Sequence, residues 1–129
     1  MSPNSNNAVS VLVPEEDLCL IRASLRADDG IRLLPAASLA EALKGPELVF
    51  LYDADSPDPW PEALRRILEV RPAARVVLLS RLADSGMWIE AVHSGAYDLL
   101  PKPSRPSEMR AVRAAVLGAL SARSYCAVG

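Results

Sequence analysis

A chain of 129 residues is one domain long, and folding at that size removes roughly two thirds of the surface that the unfolded chain exposes, so neither a metal nor a disulfide is needed to complete a core. Half the residues are hydrophobic and 23% are charged, which excludes a disordered polar tail. Fourteen basic against 16 acidic residues give a formal charge of -2, too even a balance to supply the basic face that phosphate backbones require, so no nucleic-acid partner is expected.

Residues 1–8 are polar, carry no basic run and predict a disordered lead. Val9 to Val13 reads as a buried strand, followed by a helix from Asp17 to Ala27 with Leu18, Ile21 and Leu25 on one side and Gly30 beyond its end. Ile31 to Leu34 is a second strand. Ser38-Leu-Ala-Glu41 is a capping box for a short helix that Gly45 closes. Leu48 to Tyr52 is a fully apolar third strand. Three of the eleven prolines, Pro57, Pro59 and Pro61, stiffen the loop after it, and Pro61 suits the first turn of a helix over Glu62 to Val70. Trp60, between two of these prolines, is expected to act as a lid or contact residue. Arg75 to Leu79 is a fourth strand and Ser85 to Ser94 a fourth helix, with Trp88, Ala91 and Val92 on its inward stripe. Tyr97 to Leu100 is the fifth strand. Met109, Val112, Val116 and Leu120 form the inward stripe of a last helix, and 123–129 is expected to be a tail. Cys19 and Cys126 have neither zinc nor disulfide spacing and suit a reducing compartment. No run approaches the ~20 apolar residues of a membrane span, so a cytoplasmic chain without membrane contact is expected.

Short apolar strands alternating with helices predict an α/β fold, a doubly wound parallel sheet covered on both faces. Ligand chemistry in such sheets lies at the carboxyl ends of the strands. That gathers Glu15, Glu16, Tyr52, Asp53, Asp55, Ser80 and Lys102 around one crevice. Clustered carboxylates repel by about 4 kcal/mol per pair at ~4 Å and an effective dielectric near 20, so a divalent cation is invited. Glu15, Glu16 and Asp17 also suit the positive end of a helix, Asp53 and Asp55 suit a turn, and His93 suits a helix C-terminus.

From Ser80 onward the spacing becomes specific. Ser80, Ala91, Gly95-Ala96, Asp98 and Lys102-Pro103 fall without a gap at the separations of a known family, and the span 9–122 resembles the CheY-like response-regulator receiver domain. The resemblance implies a flavodoxin-like sheet of order 2-1-3-4-5 with five helices. It also implies a role in two-component phosphorelay signalling without enzymatic turnover. An aspartate ending the third strand would take a phosphoryl group from a histidine kinase or phosphotransfer protein. Lys102 would pair with the modified carboxylate, Ser80 would turn to a phosphate oxygen, and Mg2+ would be held by Glu15, Glu16 and Asp53. A cis Lys102-Pro103 bond is implied as well. The face of the fourth helix, fifth strand and fifth helix would present Met87, Trp88, Arg105 and Arg110 to a downstream partner or a second copy.

Three positions depart from the pattern. Gapless matching sets Pro14 and Glu15 where the family has two acids, with Glu16 and Asp17 following. It sets Tyr52 in the acceptor slot, whereas the spacing of Asp53 to Pro57 matches the family's Asp-x-x-x-Pro. Leu99 stands in place of a usual aromatic. With Tyr52 in the slot the chain is a phosphorylation-independent pseudo-receiver that scaffolds or dimerises and binds Mg2+ weakly or not at all. With Asp53 there, phosphotransfer is retained in an atypical pocket.

Overall fold

The computed structural model describes residues 7–25 and 30–128. Most of the lead expected over 1–8 lies outside them. Five parallel strands, β1 (Ala8–Leu12), β2 (Arg32–Pro35), β3 (Val49–Asp53), β4 (Arg75–Ser80) and β5 (Asp98–Pro101), form one sheet in the order β2-β1-β3-β4-β5. The helices are α1 (Glu15–Ser24), α2 (Leu39–Ala42), α3 (Trp60–Val70), α4 (Ser85–His93) and α5 (Met109–Val128), so the expected doubly wound architecture is present. Helix α5 runs on through 123–128, for which the sequence predicts a tail.

Strand alternation sorts the core into two layers. Val49 and Leu51 on β3, with Val77 and Leu79 on β4, pack against Leu18 and Ile21 of α1 and the Met109, Val112, Val116 and Leu120 stripe of α5. Phe50 and Tyr52, with Val76 and Leu78, face the opposite layer of Ala42, Trp60, Leu64, Ile67 and Ala91. Both faces of β3 and β4 are buried, which explains why neither strand alternates in hydropathy.

Local chemistry sets the helix ends. Ser38 caps α2 by accepting from the Glu41 amide, and the Glu41 carboxylate accepts from the Ala37 amide. Asp84 caps α4 through the Met87 amide. Gly95, after α4, has a φ of +104°, and a Cβ there would lie 2.6 Å from Leu68 Cδ1, so any other residue strains the backbone and displaces Leu68.

Three expectations are corrected. Trp60 is no lid: Pro59 precedes and Pro61 enters the first turn, so α3 begins at Trp60 and buries the indole in the core against Tyr52 and Ala63. Trp88 is 47% exposed, because α4 turns Met87 and Ala91 inward and leaves Trp88 about 100° around the helix. The Lys102-Pro103 bond is trans, since no cis peptide occurs among the described residues.

Candidate functional site

The alternation that builds the two layers also aims the polar residues at the strand ends. Tyr52 follows Phe50 into the α3 side, where its phenol lies 3.2 Å from Ser56 Oγ and donates to the Asp58 carbonyl at 3.3 Å. Burial raises its pKa above the ordinary phenol value, so the ring is a neutral packing element. Asp53 follows Leu51 toward the α1 and α5 side. There its Oδ1 accepts from Lys102 Nζ at 2.9 Å and from the Asp55 amide at 2.9 Å.

Lys102 leaves the end of β5, and its amide donates to the Ser80 carbonyl at 3.0 Å, which anchors the segment to β4. The Lys102 side chain is only 7% exposed, and its ammonium lies 3.3 Å from Asp17 Oδ2 and 3.9 Å from Asp55 Oδ2, in addition to Asp53. Burial alone would pull its pKa down. The hydrogen bonds and charges of Asp53 and Asp17 outweigh burial and hold it above the ordinary lysine value. Asp17 Oδ2 is buried against this ammonium and has no other partner among the described residues.

Asp55 ties the third strand's loop to the fourth's. Its Oδ1 accepts from Ser80 Oγ at 2.7 Å and its Oδ2 from the Arg81 amide at 2.8 Å. Burial would raise this carboxyl, but the Arg81 amide, the Ser80 hydroxyl and the charges of Lys102 and Arg81 bring it below the usual range. Ser80 Oγ also accepts from the Leu82 amide at 3.0 Å. A cleft of about 380 Å³ opens beside Asp53 between Pro14, Ser38 and Pro57, and another of about 240 Å³ opens beside Lys102 between Glu16 and Arg81.

No family model matches the chain. The chemotaxis protein CheY of Thermotoga maritima is 32% identical in a match covering 54% of this chain and 67% of that protein. The Listeria monocytogenes CheY is 36% identical over 50% of the chain and 64% of its own length, just under two thirds. The chain belongs to the CheY-like receiver family. Receiver domains are the signalling modules of response regulators in two-component systems and are not enzymes. The fold agrees throughout: the beryllofluoride-activated NtrC4 receiver domain dimer superposes with a TM-score of 0.75 at 23% identity, covering 91% of this chain and 98% of that one. A response regulator from Thermotoga maritima superposes at 0.72 with 22% identity, over 88% and 98%.

Within this receiver, the residues singled out from sequence divide into two groups. Asp53, Ser80 and Lys102 come together, joined by Asp55. Tyr52, selected by gapless matching, points to the other layer, as alternation along β3 from Phe50 requires. Glu15 and Glu16 are exposed on the first turn of α1, and Asp17, which the spacing passed over, is the acid that reaches Lys102. One signal for Asp17 was available: it precedes Ile21 by four residues and so shares the inward face of α1.

Receiver domains generally bind Mg2+ at an acidic pocket, and Asp53 and Asp55 give this chain carboxylates at that place. Among the described residues no three Asp, Glu, His or Cys side chains form a ready cage. Asp17, on the α1 side, is a third carboxylate beside Lys102. Met87 is half-buried, while Trp88, Arg105 and Arg110 are exposed, and a cleft of about 480 Å³ runs beside Trp88, Ile89, Leu99 and Pro101. Among the described residues no helix is long and apolar enough to cross a membrane.

Proposed function

We propose that Asp53 is the phosphoryl acceptor of this receiver, taking the group from a phosphohistidine on a kinase or phosphotransfer protein. The observation that carries this reading is the 2.9 Å contact between Asp53 Oδ1 and the buried Lys102 ammonium. Oδ1 spends its acceptor capacity on Lys102 and the Asp55 amide, which leaves Oδ2 as the attacking oxygen. As the P–N bond of the donor breaks and the new P–O bond forms, the charge of the largely buried Lys102 side chain stabilises the developing negative charge. Asp17 and Asp53 would hold the magnesium, with Glu16 at the mouth of the neighbouring cleft. Mg2+ would supply neutralisation of charge on the transferring oxygens.

The surface bearing the exposed Trp88, beside a cleft lined by Ile89, Leu99 and Pro101, together with the exposed Arg105 and Arg110, is the contact surface for the downstream partner or a second copy, an aromatic anchor with arginines being the composition of protein interfaces. A cytoplasmic setting fits this role.

Intact mass after incubation with Mg2+ and acetyl phosphate tests the acceptor. The wild type and Tyr52→Phe gain one phosphoryl group, and Asp53→Asn gains none. A wild type that stays unmodified with donor and Mg2+ in excess would establish the pseudo-receiver instead.

A further inference from the structure

We propose that Asp55 is a built-in substitute for the phosphoryl group, a positioning residue that holds the Ser80–Arg81 turn inward in the unphosphorylated chain and competes with a phosphoryl group for the same donors. Each Asp55 oxygen has its own donor on the β4–α4 connection, the Ser80 hydroxyl at 2.7 Å and the Arg81 amide at 2.8 Å, with the Lys102 ammonium 3.9 Å away. A hydroxyl, a backbone N–H and an ammonium are the donor types that an anionic phosphoryl oxygen seeks. Ser80 is fully buried, and its hydroxyl hydrogen is committed to Asp55 while Oγ accepts from the Leu82 amide. A hydroxyl carries one hydrogen, so Ser80 cannot donate to Asp55 and to a phosphoryl oxygen at once. The Asp55 amide donates to Asp53 Oδ1, which places the competing carboxylate within two residues of the acceptor.

Two consequences follow. The β4–α4 turn adopts its inward position before any modification, so its movement is a weak reporter of phosphorylation. A phosphoryl group, or a mimic of one, binds only after displacing Asp55, so removing that carboxylate strengthens its binding. The second consequence rests on Asp53 being the acceptor; the first does not.

The test uses the whole chain, with Asp55→Ala and the near-isosteric Asp55→Asn. Amide hydrogen exchange at Arg81 in the absence of any phosphoryl mimic is expected to quicken roughly tenfold in Asp55→Ala, as for the loss of a single charge-assisted hydrogen bond. Titration with beryllofluoride at saturating Mg2+ is expected to show both variants binding several-fold more tightly than the wild type. Unchanged Arg81 exchange in Asp55→Ala overturns the latch. Equal or weaker beryllofluoride binding by the variants overturns the competition. If beryllofluoride binds neither wild type nor variants, the acceptor assignment fails, and Arg81 exchange still decides the latch.

Discussion

Lys102 is the residue on which the site turns, because one ammonium serves Asp17, Asp53 and, at longer range, Asp55. Removing one partner of a buried ion pair leaves an uncompensated charge, and Lys102→Ala strands two buried carboxylates near each other. A loss of about 3 kcal/mol in urea unfolding at pH 7 is expected for that variant, and added MgCl2 should recover part of it by binding the folded state alone. Equal magnesium responses in wild type and variant would remove Asp17 and Asp53 from the cation site. The sequence exposes some of this arrangement and conceals the rest. Ser80 and Lys102 are legible because their spacing to Gly95-Ala96 and Pro103 is rigid, set by a short helix and a short strand. Asp17 is obscured by its neighbours Glu15 and Glu16, since three consecutive acids differ only in the direction in which a helix turns them. The choice between Tyr52 and Asp53 depends on where β3 ends, and an apolar run does not mark its own last residue. Once the layers are assigned, period-two alternation settles the direction: Phe50 and Tyr52 share one face, Leu51 and Asp53 the other.

The helices show which level of detail apolar spacing reaches. The α5 stripe of Met109, Val112, Val116 and Leu120 is buried as its three- and four-residue spacing requires. Helix α4 is apolar on more than one side, Met87, Trp88, Ile89, Ala91 and Val92 all falling within two turns, so its rotation is set by packing and not by pattern. Hence Ala91 is buried while Trp88 and Ile89 are about half exposed. The prolines around Trp60 suggest a loop, yet they act as the start of α3 and drive the indole into the core. The two tryptophans therefore differ in energetic role. Trp60→Ala should cost about 3–5 kcal/mol, since it empties a filled core position. Trp88→Ala should cost under about 1 kcal/mol, its indole N–H making one 3.3 Å bond to Asp98 at the surface. Thermal unfolding of the two variants measures the contrast, and similar losses would place Trp88 in the core.

At the scale of the molecule, the architecture is the most legible feature, because alternating apolar strands and helices admit few topologies once crossovers are right-handed. The same architecture brings four strand ends and the start of α1 to one rim, which makes the site's charges a property of the whole fold. Its pH dependence follows from two shifts of opposite sign. The Lys102 pKa is raised, so its contribution to stability is present below the ordinary lysine value near 10.4 and is lost as pH rises through the raised one. The Asp55 pKa is lowered, so its contribution is present above the ordinary aspartate value near 3.9 and is lost as pH falls through the lowered one. Urea midpoints should therefore decline at both ends of the pH range, with a shallower acid limb in Asp55→Asn and a shallower alkaline limb in Lys102→Met. An acid limb unchanged by Asp55→Asn would separate Asp55 from the fold's stability. The most direct test of the receiver chemistry is to locate the modified residue. After reaction with acetyl phosphate and Mg2+, borohydride reduction converts an aspartyl phosphate to homoserine, which peptide mass spectrometry assigns to a position. Homoserine at 53 is the expected result; homoserine at 55, or none in a protein shown to be folded, would contradict the assignment of Asp53 as acceptor.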